Sequence, residues 1–249
     1  PALRLTGLYL AAASGAGAAT VVRLATKLGF DGFTSLQGVF RERLRERNSS
    51  YEERLNALRA DVGGNGANHR ILEGFLTASG TSLDLMARSL DEAQLDRAIA
   101  ALAGAETVYI LARRRSYPVA SYMAYALGKL GVRNQLVESA AGLSPEILSF
   151  ATPRDVALAV SFSPYAAETI DEARQLSERG VPVVAITDSA FSPLVQFATL
   201  WFEVAEADFG GFRTLSATMA LSMALAVGIG DARRDRKPGK PRGRARNPA

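Results

Sequence analysis

Two loops in the second half of the chain hold side chains that suit an anionic ligand. The first, residues 112–116, follows an apolar run and places three consecutive arginines and a serine at the start of a helical segment. The second, residues 161–169, follows another apolar run and carries serine and threonine hydroxyls. Guanidinium groups, hydroxyls and the free amides of a helix N-terminus all donate hydrogen bonds to phosphate oxygens. The pattern predicts a phosphate-binding site lined by Arg113, Arg115, Ser116, Ser161, Ser163 and Thr169.

The same residues also have a structural interpretation. Ser163 can cap a helix in which Pro164 takes the first position, because serine and proline are favoured at those places. The arginines can pair with Glu138 or Glu168 and bind no ligand. The residue types alone leave both interpretations open.

Short apolar runs alternate with helical segments from residue 106 onward. The predicted strands cover residues 107–112, 134–138, 155–161, 181–188 and 199–205. The predicted helices cover residues 117–131, 144–151, 166–179, 193–197 and 211–229. Three of the runs are almost continuously apolar, as expected of parallel strands covered on both faces. The predicted fold class is α/β, a doubly wound five-stranded parallel sheet in an αβα sandwich, which brings both loops to the carboxyl edge of the sheet near its switch point.

The N-terminal part of the chain predicts a small all-α module. One helix is expected from about Gly17 to Gly29, since glycine is favoured just beyond a helix end, and another over residues 34–47. In the first of these, one face is predicted to be buried by Val21, Leu24 and Leu28. A short helix is expected within residues 48–68. The predicted domain boundaries are residues 1–60 for the module, 61–68 for a linker, 69–230 for the α/β domain with its preceding helices, and 231–249 for a basic disordered tail.

The composition argues against several kinds of site. The chain has no cysteine, which excludes disulfides and thiolate metal sites and favours a reducing cytoplasm. Its single histidine, His69, argues against a multi-histidine metal site and a Ser-His-Asp triad. We therefore predict no metal ion and no cofactor. The apolar stretch at residues 215–229 falls short of the ~20 residues that span a bilayer, so no membrane segment is predicted.

The charge of the chain is unevenly distributed. The formal net charge is +4, with basic residues in excess over residues 1–60 and 231–249 and acidic residues in excess between them. Basic ends around an acidic middle indicate nucleic-acid contact at the ends. The tail is equally consistent with a solubilising disordered end.

Three segments resemble the RpiR-type regulators, in which an N-terminal helix-turn-helix precedes a sugar isomerase (SIS) domain. Residues 15–33, with the sequence GAGAATVVRLATKLGFDGF, are similar to the turn and recognition helix of that family. Residues 161–169 resemble its phosphosugar motif, and residues 186–194 resemble the segment after its fourth strand. The resemblance implies a SIS domain that binds a phosphorylated sugar or related acidic metabolite. It also implies DNA binding through Thr20, Arg23 and Lys27.

The chain departs from the RpiR pattern at several places. Only residues 1–4 stand where the first helix of the family's DNA module is expected, so either the sequence begins within the module or the helix-turn-helix is incomplete. Glycines common in the family are replaced by Ala112 and Arg114, and a hydroxyl residue is replaced by Ala166. These changes point to an unusual effector or a lost pocket, with Arg114 expected to fill part of the cavity.

These observations predict a cytoplasmic, DNA-binding regulator that is not an enzyme. A two-fold DNA site requires a two-fold protein, so we expect a homodimer or homotetramer that associates through helices 69–90 and 211–229. Two alternatives stay open: a sugar phosphate isomerase, and an interaction protein with a non-functional ligand site. Isomerisation needs a base assisted by histidine or lysine, yet residues 101–230 hold no histidine and only Lys129, which leaves Glu168 as a base.

Overall fold

The computed structural model describes residues 18–27, 29–35, 50–138 and 142–236. The chain divides into two compact units, residues 1–67 with 210–212, and residues 68–209 with 213–249. The helices of the described residues are α1 (Ala18–Lys27), α2 (Tyr51–Val62), α3 (Ala67–Ser89), α4 (Glu92–Gly104), α5 (Tyr117–Lys129), α6 (Ser144–Ser149), α7 (Ala167–Glu178) and α8 (Ser216–Arg236). The strands are β1 (Val108–Ala112), β2 (Asn134–Val137), β3 (Val156–Val160), β4 (Val183–Thr187), β5 (Leu200–Glu203), β6 (Asp208–Phe209) and β7 (Phe212–Arg213).

Helix α1 of the first unit ends as the sequence predicts but packs differently. Gly29 has a φ of 86° and donates its amide to the carbonyl of Thr26, which closes the helix. Leu24, predicted to be buried, is 53% exposed, and Ala25 is fully buried instead. The error arises because α1 carries apolar residues on more than one face, including Val22, which is 47% exposed, and the small Ala25. The predicted burial of Val21 and Leu28 falls on side chains that the structure does not describe. Nearly all of the helix predicted over 34–47 also lies outside the described residues.

Helix α2 is the short helix expected within residues 48–68. Its first turn carries a capping box: the Ser50 amide donates to the Glu53 carboxylate at 2.7 Å, and the Glu53 amide donates to the Ser50 hydroxyl at 3.1 Å. The ring of Tyr51 packs edge-on against Phe212 of the same unit, with centroids 5.5 Å apart.

The second unit is built around a five-stranded parallel sheet with the order β2-β1-β3-β4-β5. Alternate side chains of each strand enter two separate cores, so that in β1 Val108 and Ile110 face one and Tyr109 and Leu111 face the other. Helices α4, α5 and α8 cover the first face, and α6 and α7 cover the second. The predicted doubly wound αβα fold is therefore confirmed.

The last helix of the domain differs from its prediction at both ends. The sequence places its start at residue 211, but Gly210 and Gly211 have φ values of 59° and 78° and form the turn between β6 and β7. Glycine adopts this left-handed conformation without strain, so the hairpin replaces the first predicted turn of helix. Helix α8 begins at Ser216 and continues to Arg236, so residues 231–236 are helical rather than part of a disordered tail. Residues 237–249 lie outside the described part of the chain.

Two polar side chains anchor helix α8. Near its start, the carboxylate of Glu206 accepts hydrogen bonds from the Thr218 amide at 2.8 Å and from the hydroxyls of Thr218 and Thr214, each at 2.7 Å. Near its end, the guanidinium of Arg233 donates to the carbonyl oxygens of Ala103 and Ala105 at the end of α4. Within the described ranges, no helix is both long and apolar enough to cross a bilayer.

Candidate ligand site

The candidate site lies where β1 and β3 end side by side. These two strands are hydrogen-bonded neighbours, and Ala112 at the end of β1 is paired with Val160 at the end of β3. The chain runs from β1 to β2 on one side and returns to β3 on the other, so the strand order reverses between them. Ligands of open α/β sheets bind at such a switch point, beyond the carboxyl ends of the strands. The structure thus brings together the two loops that the sequence identifies.

Arg113 is held inside the domain by a buried ion pair. Its guanidinium donates to the Glu172 carboxylate at 2.5 Å and to the carbonyl oxygen of Val137 at 2.7 Å. The partner is therefore Glu172 of helix α7, and not the Glu138 or Glu168 considered from the sequence. Burial raises the pKa of Glu172 even though the positive charge of Arg113 opposes that shift.

The next residues of this loop form a single 3-10 turn, Arg114–Ser116. Arg114 has a φ of 54°, a left-handed conformation that favours glycine. Its side chain is exposed. Arg115 lies over the ring of Phe162 at 5.4 Å, and Ser116 is buried with 4% exposure.

The loop after β3 turns back on itself before helix α7 begins. The Ser163 amide donates to the Asp188 carboxylate at 3.0 Å, and the Ser161 hydroxyl accepts from the Ala166 amide at 3.4 Å. Helix α7 starts only at Ala167, with Ala166 as its cap residue. Ser163 is therefore not the helix cap and Pro164 is not the first helical residue, because Asp188 holds this stretch outside the helix.

Four buried oxygen atoms around this loop have no hydrogen-bond partner within the described part of the protein. They are the hydroxyl oxygens of Ser163 and Thr169, Oε2 of Glu172 and Oδ1 of Asp188. No other buried side-chain nitrogen or oxygen atom in the described ranges lacks a partner. Buried polar atoms are nearly always hydrogen-bonded to protein, water or ligand in folded proteins, so this cluster of exceptions marks a candidate ligand site.

The start of helix α7 adds an electrostatic contribution to the same place. The first amides of an α-helix have no acceptor within the helix, and here they belong to residues 167–169. Together with the positive end of the helix dipole, such amides attract anions. The buried hydroxyls of Ser161, Ser163 and Thr169 lie on or just before this turn.

Two further residues of the site, Asp188 and Arg213, are absent from the sequence-based prediction. Arg213 donates to the carbonyl oxygen of Ser163 at 3.2 Å and to Oδ2 of Asp188 at 3.4 Å. Asp188 directly follows β4, so its position at the carboxyl edge of the sheet could have identified it as a site residue from the sequence. Arg213 could not have been identified in this way, because the sequence placed it inside the helix predicted over residues 211–229.

The residues predicted to contact DNA lie in the first unit. Thr20, Arg23 and Lys27 are all exposed on helix α1. The Arg23 guanidinium donates to the carbonyl oxygen of Ala19 at 3.4 Å, within the same helix. No cluster of histidine, aspartate or glutamate suited to a metal ion occurs among the residues that the structure describes.

Comparison with known families identifies the second unit. Residues 101–228, which run from the end of α4 into α8, match the SIS domain family. The chain belongs to the SIS domain family. The SIS domain expected from the sequence is thereby confirmed, whereas the helix-turn-helix stays a prediction. A comparison with curated proteins gives no match.

Solved structures similar to this SIS protein include a domain of a transcription factor, a complex with a sugar phosphate and a protein with an inferred isomerase function. The sugar isomerase domain of an RpiR transcription factor from Sphaerobacter thermophilus is 25% identical, with a TM-score of 0.60 over 65% of this chain and 90% of that one. The Vibrio vulnificus NanR protein complexed with ManNAc-6P is 22% identical, with a TM-score of 0.58 over 94% and 80% of the two chains. A Methanococcus jannaschii protein, for which a 3-hexulose-6-phosphate isomerase function was inferred, is 16% identical, with a TM-score of 0.51 over 65% and 89%. The last two likenesses show the shared fold alone.

Proposed function

We propose that this SIS protein is a cytoplasmic, DNA-binding transcriptional regulator that senses a phosphorylated sugar. The observation that carries the sensing function is the cluster of unpartnered buried oxygen atoms at the start of helix α7. Hydroxyls and free amides at this position hold the phosphate, and the acidic side chains beside them face the rest of the ligand. NanR, a protein of the same fold, was solved with ManNAc-6P.

The positions of acid and base groups favour sensing over isomerisation. Lys129 is the last residue of helix α5, where its ammonium group lies 5.8 Å from the centre of the Tyr125 ring. Because α5 begins at the carboxyl edge of the sheet, Lys129 is displaced along the helix by about 18 Å from that edge. Glu168 is exposed, and Glu172 is ion-paired with Arg113. Among the described residues 101–138 and 142–228, this arrangement supplies no base with an assisting histidine or lysine, so we propose that the protein is not an enzyme.

The sensing function is tested by ligand-induced stabilisation. A ligand that binds only the folded protein, at 100 times its dissociation constant, raises the free energy of unfolding by about 2.7 kcal/mol. The probes are glucose 6-phosphate, glucosamine 6-phosphate and ManNAc-6P, measured by thermal shift and calorimetry. We expect at least one to bind the parent protein and to lose most of its affinity for the Ser161→Ala/Ser163→Ala variant.

The exposed hydroxyl of Ser149 provides the matched control for this experiment, since it lies at the end of α6 and donates only to the carbonyl of Glu146. Ser149→Ala is expected to bind like the parent. If the double variant binds a probe as tightly as the parent does, the ligand binds at another site. If the parent binds none of the probes, the sensing function is contradicted.

Helix α1 is proposed to contact DNA through Thr20, Arg23 and Lys27. Their side chains are exposed on a helix that resembles a recognition helix, and two of them are basic. Arg23→Ala is expected to weaken binding to a random-sequence duplex and to lower the slope of log affinity against log salt by about 1. Arg88→Ala removes the same charge from an exposed position on α3 and is the control. An unchanged affinity and slope for Arg23→Ala would refute the assignment.

A homodimer or homotetramer is part of the proposal. Helix α3 exposes Leu72 and Leu76, and helix α8 exposes Met223 and Val227. Large apolar side chains grouped on a surface often mark a protein interface. We expect light scattering to show a dimer or a tetramer. The double substitution Leu76→Glu with Val227→Glu is expected to shift the oligomeric state toward the monomer. A parent protein that is monomeric at micromolar concentration would contradict the proposal.

A further inference from the structure

We infer that Asp188 selects the effector: the site accepts phosphate esters whose sugar part presents hydroxyl or amino donors and rejects sugar acids. The inference rests on the proposed sensing function and narrows it to a class of ligand. It concerns a residue to which neither the family resemblance nor the predicted phosphate site gives a role.

The Asp188 carboxylate is fixed by its neighbours. Oδ2 accepts from the Ser163 amide at 3.0 Å and from Arg213 at 3.4 Å. The side chain is only 18% exposed, and Oδ1 is buried without a partner. Rotation of the carboxylate would break the bond from the Ser163 amide, so the position of Oδ1 beside the loop after β3 is fixed.

An ionised carboxylate oxygen only accepts hydrogen bonds, so the ligand atom that meets Oδ1 must be a donor. Sugar hydroxyl and amino groups meet this requirement. A carboxylate on the ligand does not, and its charge is repelled by Asp188. The Arg213 guanidinium pairs with Oδ2 of Asp188 and with the carbonyl oxygen of Ser163, so its charge partly offsets that of Asp188, and the hydrogen-bonding demand of Oδ1 decides the preference.

Glu172 also favours a ligand that donates hydrogen bonds. Oε2 of Glu172 is also buried and without a partner, while Oε1 is bonded to Arg113. Glu172 and Thr169 are three residues apart on helix α7 and therefore share one face of it. When both carboxylates are ionised, two of the four unpartnered oxygens require donors, and the two hydroxyls can accept or donate as the phosphate demands.

Asp188→Asn tests the inference with almost no change in shape. The amide oxygen keeps the bonds from Ser163 and Arg213, which forces the amide NH2 into the place of Oδ1 and converts a fixed acceptor into a donor. We expect the parent to bind glucose 6-phosphate, glucosamine 6-phosphate or ManNAc-6P at least about tenfold more tightly than 6-phosphogluconate. In Asp188→Asn this ratio is expected to fall about tenfold or more and to approach or pass unity.

The control variant is Asp171→Asn, which removes the same charge from an exposed position on helix α7 where the carboxylate pairs with Arg174. It is expected to keep the selectivity of the parent. A parent that binds 6-phosphogluconate as tightly as the other esters, or an unchanged ratio in Asp188→Asn, overturns the inference but leaves the sensing function intact. A parent that binds no ester overturns both. If Asp188→Asn does not fold, the ratio measured on the parent decides the inference by itself.

Discussion

Replacement of Arg114 by glycine is expected to stabilise the protein. Arg114 has a φ of 54°, and among the described residues it is the one residue other than glycine with a positive φ. For an L-residue this conformation costs about 1–2 kcal/mol, whereas glycine adopts it without strain. Since the side chain is exposed, its removal leaves no cavity.

The net gain is smaller than the strain that is relieved. Glycine lowers stability by about 0.5–1 kcal/mol because it gives the unfolded chain more conformations. The difference raises the free energy of unfolding by about 0.5–1 kcal/mol. For a chain of this length that corresponds to a rise in Tm of about 1–4 °C, measurable by calorimetry.

Arg115→Gly is the matched control for Arg114→Gly. It makes the same chemical change in the same 3-10 turn at a residue without positive φ, and it removes the cation–π contact with Phe162. We expect it to lower the free energy of unfolding by about 1 kcal/mol or more. Equal destabilisation by the two variants would show that Arg114 bears no backbone strain and would refute the reasoning.

Two further predictions concern buried or partly buried carboxylates. Because burial raises the pKa of Glu172, the folded protein binds that proton more tightly than the unfolded chain does. As the pH falls from above the raised pKa toward the ordinary value of 4.5, the parent should therefore gain stability relative to Glu172→Gln in urea titrations; a constant difference would contradict this. Glu206→Ala removes the acceptor of three hydrogen bonds at the start of helix α8 and should lower the free energy of unfolding by about 2–3 kcal/mol, measured in the same way. A change within about 0.5 kcal/mol would refute that role.

The sheet was predictable because its strands are apolar on both faces. Runs such as residues 156–160 have no polar side chain to present to water, so they fit only a sheet covered on both sides. The start of helix α8 was missed because an apolar periodicity does not reveal that two adjacent glycines form a turn first. The buried face of α1 was misassigned because the larger apolar residues Val22 and Leu24 are exposed and the buried residue is the small Ala25, which apolar spacing does not single out.

The site was predictable only in part, for a topological reason. Ser161, Ser163 and Thr169 belong to one continuous segment, so the sequence alone puts them together. The partners of Arg113 and Ser163 come from other elements, Glu172 and Asp188, and depend on which loops the strand order makes adjacent. Several aspartates and glutamates could bond to Arg113 or to Ser163, and sequence spacing does not show which of them does.

The contact between Arg233 and the end of helix α4 bears on how an isolated SIS domain should be prepared. The family match ends at residue 228. The donor to the carbonyl oxygens of Ala103 and Ala105 is Arg233, which lies five residues beyond that end. A fragment cut at residue 228 would leave these two acceptors to water and would shorten helix α8 by two turns. A fragment that extends through residue 236 keeps both ends of the helix anchored, and we expect it to resist proteolysis where the shorter fragment frays.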